Sequence, residues 1–119
     1  MKEEVKFVNL TPHEVVVFDS GQNIILKIPP SGQTARVSVT SMVIGEINGI
    51  PVRRTIYGDV IGLPEPRDNT FYVVSTLVLL ALKEKGIVRG DVVAPDTSID
   101  SVVRDSEGRI IGVRYFQVV

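Results

Sequence analysis

The chain has 119 residues, 44% of them hydrophobic and 23% charged, with 13 basic side chains set against 14 acidic ones. That length suits one domain able to bury a core unaided, and the near-zero charge excludes a nucleic-acid binder acting through bulk positive charge. Without cysteine there is no disulfide framework, thiol nucleophile or thiolate metal site.

Met1-Lys2-Glu3-Glu4 lacks the apolar stretch of a signal peptide. The longest apolar run, Leu77 to Leu82, is too short to cross a bilayer. The expectation is a cytoplasmic protein with no membrane partner, a single domain over residues 1–119. Val, Ile and Thr recur in short runs bounded by Gly, Pro, Asn and Asp, the pattern of an antiparallel β domain. A first strand over 5–9 breaks at Thr11-Pro12-His13, and a second covers 14–19. Ser20 to Asn23 forms a hairpin loop into a strand over 24–28, which Pro29-Pro30 ends because proline cannot donate to a ladder.

Alternation from Ala35 to Ser41 continues through residues 42–47, and Asn48-Gly49 turns the chain into a partner strand over 50–57. Both turn residues tolerate the positive φ of a type I′ hairpin. Residues 58–70 form the one long irregular segment, broken by two prolines and two glycines. A strand over 70–74 leads into the one helix, capped by Ser75, running to Lys85 and stopped by Gly86. The helix is apolar on nearly every face, so it is expected to lie against a sheet or a partner subunit. A strand over 91–94 stops at Pro95, and a last hairpin joins 99–104 to 109–118. The expected fold is mainly β, a small antiparallel sandwich or partly open barrel with one main α-helix; the alternative is an α+β layer with the helix across one sheet. Edge strands and the apolar helix point to a homo-oligomer, specifically a homodimer.

His13 is the sole histidine and the first candidate for acid–base work, with Asp96 as the supporting acid. On an extended chain, Glu14 points away from its neighbour and cannot orient the imidazole. A Thr-Pro turn whose polar groups satisfy local backbone accounts for the same residues. Residues 96–107 follow a calcium loop in part, yet Ser101 stands where that loop needs glycine, so no metal is expected. No cofactor fingerprint, nucleophile elbow or phosphate-binding loop is present.

The arginines carry more information. Beyond residue 30 there are eight arginines and two lysines, and guanidinium forks suit phosphate or carboxylate and stack on flat rings. Arg53, Arg67, Arg104, Arg109 and Arg114, with Tyr72, His13 and the helix N-terminus at Ser75, make a candidate site for a small anion, a nucleotide above all. The competing role for each arginine is a cross-strand ion pair on a solvated face. The leading function is therefore non-enzymatic capture of a small anionic ligand or nucleotide, with no cofactor. The alternatives are a hydrolase or lyase of a phosphorylated ligand using His13, or a purely structural or interaction module.

Asn9-Leu10-Thr11-Pro12-His13, Pro30-Ser31-Gly32 with Ala35-Arg36, and Gly62-Leu63-Pro64 together resemble a group of small uncharacterised proteins from phages and prokaryotic genomes. Tyr72-Val73-Val74-Ser75, Pro95-Asp96 and Val103-Arg104-Asp105 with Gly112 and Arg114 extend the likeness across nearly the whole chain. The resemblance implies a free-standing viral or mobile-element protein, acting in the host cytoplasm by sequestering a host signal.

Overall fold

The computed structural model describes residues 4–118. Ten strands and one helix follow in chain order: β1 (Lys6–Asn9), β2 (Val15–Phe18), β3 (Ile24–Ile28), β4 (Arg36–Ile47), β5 (Ile50–Ile61), β6 (Thr70–Val73), α1 (Thr76–Glu84), β7 (Val92–Pro95), β8 (Val102–Arg104), β9 (Ile110–Val113) and β10 (Phe116–Gln117). The protein is mainly β with one helix. None of its sheets closes into a barrel.

One sheet has the order β1-β6-β7-β10 and a second the order β3-β2-β9-β8. Neither is purely antiparallel, contrary to expectation. β1 runs parallel to β6 and β6 to β7, and β2 runs parallel to β9. Parallel neighbours need long crossovers, which the β4–β5 hairpin, helix α1 and the β7–β8 connection provide. The runs Val73-Val74 and Val92-Val93-Ala94 lack a solvent face because the first sheet is covered on both sides.

Tyr72, Val74, Val92 and Ala94 pack with Leu10 and with Val78, Leu79 and Leu82 of α1. On the opposite face Val73 and Val93 meet Val15, Val17 and Ile28 of the second sheet. Phe7 joins this seam, its ring 6.0 Å from Phe71 and 5.7 Å from Phe116 between centroids. The result is three layers: helix, mixed sheet, second sheet.

Helix α1 begins where Ser75 accepts a hydrogen bond from the Val78 N–H through its side-chain oxygen. It ends at Gly86, whose φ of +69° supplies the left-handed turn a Cβ would disfavour. Asn48 and Gly49 both have positive φ, as the type I′ turn demands.

β8 starts at Val102, with residues 99–101 in the turn before it, and two further expected boundaries moved. β5 does not stop at Tyr57 but runs to Ile61, because a register shift between Val37 and Val39 absorbs Gly58 and Asp59 as a bulge and pairing resumes at Val60. The irregular segment therefore starts at Gly62. The last strand, expected to be continuous, divides: β9 pairs with β8, and after a bend at Arg114-Tyr115 β10 pairs with β7 of the other sheet. Buried Ser101 holds that corner, its hydroxyl accepting from the Tyr115 N–H and its carbonyl from the Arg114 N–H.

Candidate functional site

β1, β6 and β7 are parallel, so their carboxyl ends emerge together, the position where open sheets of this kind commonly bind ligands. A cleft of ≈ 390 Å³ lies there. Its polar lining comes from the segments that follow the three strands: Thr11, His13 and Glu14 after β1, Ser75 and Thr76 after β6, Thr97 after β7. Val15, Val16, Pro95, Ile110, Ile111 and Val113 supply its apolar lining.

Asn9 positions the first of these segments. It is 1% exposed, and its carboxamide donates to the carbonyls of His13 at 2.8 Å and Ile28 at 2.9 Å. Its oxygen accepts from the Thr11 N–H at 2.9 Å and hydroxyl at 2.7 Å. All four side-chain valences are used, so the Thr11-Pro12-His13 turn is tied to β3 as well as β1. Ser31 completes the anchor by donating its hydroxyl to the Asn9 carbonyl at 2.7 Å. The turn is bent rather than extended, and both His13 and Glu14 line the cleft, with no hydrogen bond between them among the described residues.

At the helix end, Ser75 takes the Val78 N–H, leaving those of Thr76 and Leu77 at the positive pole of α1. Gln117 donates to the Thr76 hydroxyl at 3.4 Å and the Pro95 carbonyl at 3.2 Å, locking helix to strand at the cleft's edge.

The cleft brings together two of the sequence-derived site residues, His13 and Ser75. The arginines lie elsewhere, each with local work. Arg53 donates to Ser41 on the β4–β5 hairpin at 3.3 Å, and Arg104 to the Gly108 carbonyl at 2.6 Å. Arg109 pairs with Asp105 at 3.1 Å and Glu107 at 2.8 Å, and Arg114 reaches the Val102 carbonyl at 3.4 Å. Arg67 is exposed in the 62–69 segment. Tyr72 is a core residue, 1% exposed, its hydroxyl donating to the Glu65 carbonyl at 3.0 Å. Asp96 accepts from the Ser98 N–H at 2.9 Å, an Asx turn that lowers its pKa, and its neighbours Pro95 and Thr97 line the cleft in its place.

In the sequence Thr11 already stands out beside His13, and Thr76 at the helix N-terminus, but Thr97 carries no mark of a ligand site. That the three converge becomes visible only once the strands they follow are known to be parallel. Among the described residues no group of three His, Asp or Glu side chains could hold a metal ion, and no helix is long and apolar enough to cross a membrane. Comparison with protein-family models, curated proteins and solved structures gives no match.

Proposed function

We propose that the chain is a non-enzymatic binding protein that holds a small nucleotide-like ligand, a flat apolar body with a single phosphate, in the cleft at the carboxyl ends of β1, β6 and β7. One observation carries this reading: a single cleft is lined by threonine and serine residues, the sole histidine and a helix N-terminus together with aliphatic residues. That combination suits a ligand with an anionic end and an apolar end. Glu14 in the lining and the arginines' absence from it favour one phosphate over a polyphosphate chain. The resemblance to phage proteins gives such a ligand a place, as a host signal molecule that is held and not converted.

The test is incubation with pooled nucleosides and nucleoside monophosphates, removal of excess, denaturation, and mass analysis of what is released. An intact monophosphate at one per site, lost in His13→Ala and Thr76→Val, is the expected result. Retention of nothing, or of a ligand indifferent to both changes, overturns the reading.

A second reading rests on His13 and Glu14 sharing the cleft, a geometry compatible with acid–base hydrolysis. Release of an altered product in the same experiment selects it.

A further inference from the structure

The β4–β5 hairpin turns through Asn48-Gly49, whose φ angles of +50° and +82° meet the demand of a type I′ turn. The two strands form a sheet of their own, and every residue from Val43 to Pro51 is exposed. A lone two-stranded ribbon is marginal in water, so its tip opens at little cost.

Asparagine is among the chemically labile side chains. It loses its amide nitrogen when the main-chain nitrogen of the next residue attacks the side-chain carbon. The attack needs an unbonded carboxamide, an unbonded N–H and little bulk on the following residue. The chain has four asparagines, and three of them fail these conditions. Asn9 has every side-chain valence in use, and the N–H of Leu10 donates to the Val73 carbonyl at 2.8 Å. Asn23 donates to Asp19 at 3.4 Å and precedes β-branched Ile24. Asn69 precedes buried Thr70, whose N–H donates to the Arg67 carbonyl at 3.3 Å.

Asn48 meets them all. Its carboxamide makes no hydrogen bond among the described residues. The ladder pairs Ile47 with Ile50 and leaves the Gly49 N–H outside it. Nothing lies within 4 Å of the place where a Gly49 Cβ would stand, so the approach is open.

We infer that Asn48 is a site of spontaneous deamidation and that its product unlocks the tip of the ribbon. When the tip opens, the Gly49 nitrogen gives its proton to hydroxide and bonds to Cγ of Asn48. The bond from Cγ to the amide nitrogen breaks, ammonia leaves, and a five-membered succinimide remains. Water then opens the ring. Addition at the main-chain carbon yields isoaspartate, with the backbone routed through Cβ and Cγ, and addition at Cγ yields aspartate. Either product replaces a neutral amide by a carboxylate, making the formal net charge of −1 one unit more negative. Isoaspartate also adds an atom to the main chain. A two-residue type I′ loop has no place for it, so the pairing of Ile47 with Ile50 is lost. The site is independent of the cleft.

Peptide mapping by mass spectrometry, on the full chain held warm in mildly alkaline buffer, tests this, with isoaspartate counted by enzymatic methylation. Residue 48 is expected to convert at least tenfold faster than Asn9, Asn23 or Asn69, chiefly to isoaspartate. Gly49→Ala is expected to slow the conversion at least tenfold. Ion exchange separates converted from unconverted chains by the added charge, and hydrogen exchange compares the two fractions. The amides of Gly45 and Val52 should exchange at least tenfold faster in the isoaspartate fraction, and that of Val74 at an unchanged rate. Freshly prepared Asn48→Asp carries the charge without the extra backbone atom and should keep the ribbon's protection within twofold. Conversion at residue 48 no faster than at the other three overturns the proposal, as does a Gly49→Ala chain that converts at the wild-type rate. A ribbon equally protected in both fractions, or equally loosened in Asn48→Asp, overturns it too.

Discussion

The carboxamide of Asn9 donates to the main-chain carbonyl of His13 at 2.8 Å, so the end of β1 and the cleft's histidine are coupled through one buried side chain. Replacing Asn9 by Ala removes its hydrogen bonds to the carbonyls of His13 and Ile28 and to the N–H and hydroxyl of Thr11, leaving the Thr11 hydroxyl only the His13 carbonyl at 2.9 Å. The expected loss is about 2–4 kcal/mol of unfolding free energy, from several unmade hydrogen bonds at a buried site. Urea denaturation measures it. Asn9→Asp, which keeps the shape but replaces donors with a charge, should be at least as damaging.

Arg89 and Asp91 form a two-pronged ion pair, both contacts 2.8 Å, with Arg89 also donating to the Pro64 carbonyl at 2.9 Å. The hydrogen bonds from Arg89 hold the Asp91 carboxyl below its ordinary range, and the same bonds raise the guanidinium. A carboxyl lowered by folding contributes stability that is complete above its unfolded pKa and is lost as pH falls through its folded value. Stability should therefore decline below about pH 4. In Asp91→Asn this part of the decline should vanish, with about 1–2 kcal/mol already missing at neutral pH, a value reduced because both groups keep some solvent contact. Chemical denaturation across the acid range reads both effects.

Gly112 on β9 has no room for a side chain. A Cβ there would collide with the Phe18 ring and stand 2.7 Å from the Val16 carbonyl. Gly112→Ala should cost about 1–3 kcal/mol by overpacking. Because Val16 and Gly112 both line the cleft, ligand retention should fall with it. Thermal melts and the release assay give the two readings.

Alanine at Arg53, Arg67, Arg104 or Arg109 should change retention of a nucleoside monophosphate less than twofold, since none of these side chains lines the cleft. Titration calorimetry on the four variants checks this. One that loses most of its affinity would relocate the site.

Local signals in the sequence were reliable where a residue's conformation decides the structure alone. Asn48-Gly49, Ser75 and Gly86 mark a turn, a cap and a helix end through their own backbone preferences, and each stands where it was read. Strand direction was not legible, because Val and Ile runs look alike in parallel and antiparallel ladders. The pairing of Lys6 with Thr70 depends on crossovers and not on either strand's composition. The site suffered from the same blindness. Arginines attract notice by chemistry, but Arg104 and Arg109 spend their donors within a few residues of themselves. Thr97 is an ordinary residue that matters only through the topology that gathers it with Thr11 and Thr76.

The pairing of Val17 with Val113 ties the second strand to the ninth. Such distant partners are slow to find each other, and on the ribosome the later one does not yet exist when the earlier emerges. The β2–β3, β4–β5 and β8–β9 pairs are held by neighbours close in sequence, so they are the pieces that can form during synthesis, while both sheets wait for the C-terminal residues. Newly made chains should thus carry finished hairpins on an unfinished body until the last strands emerge.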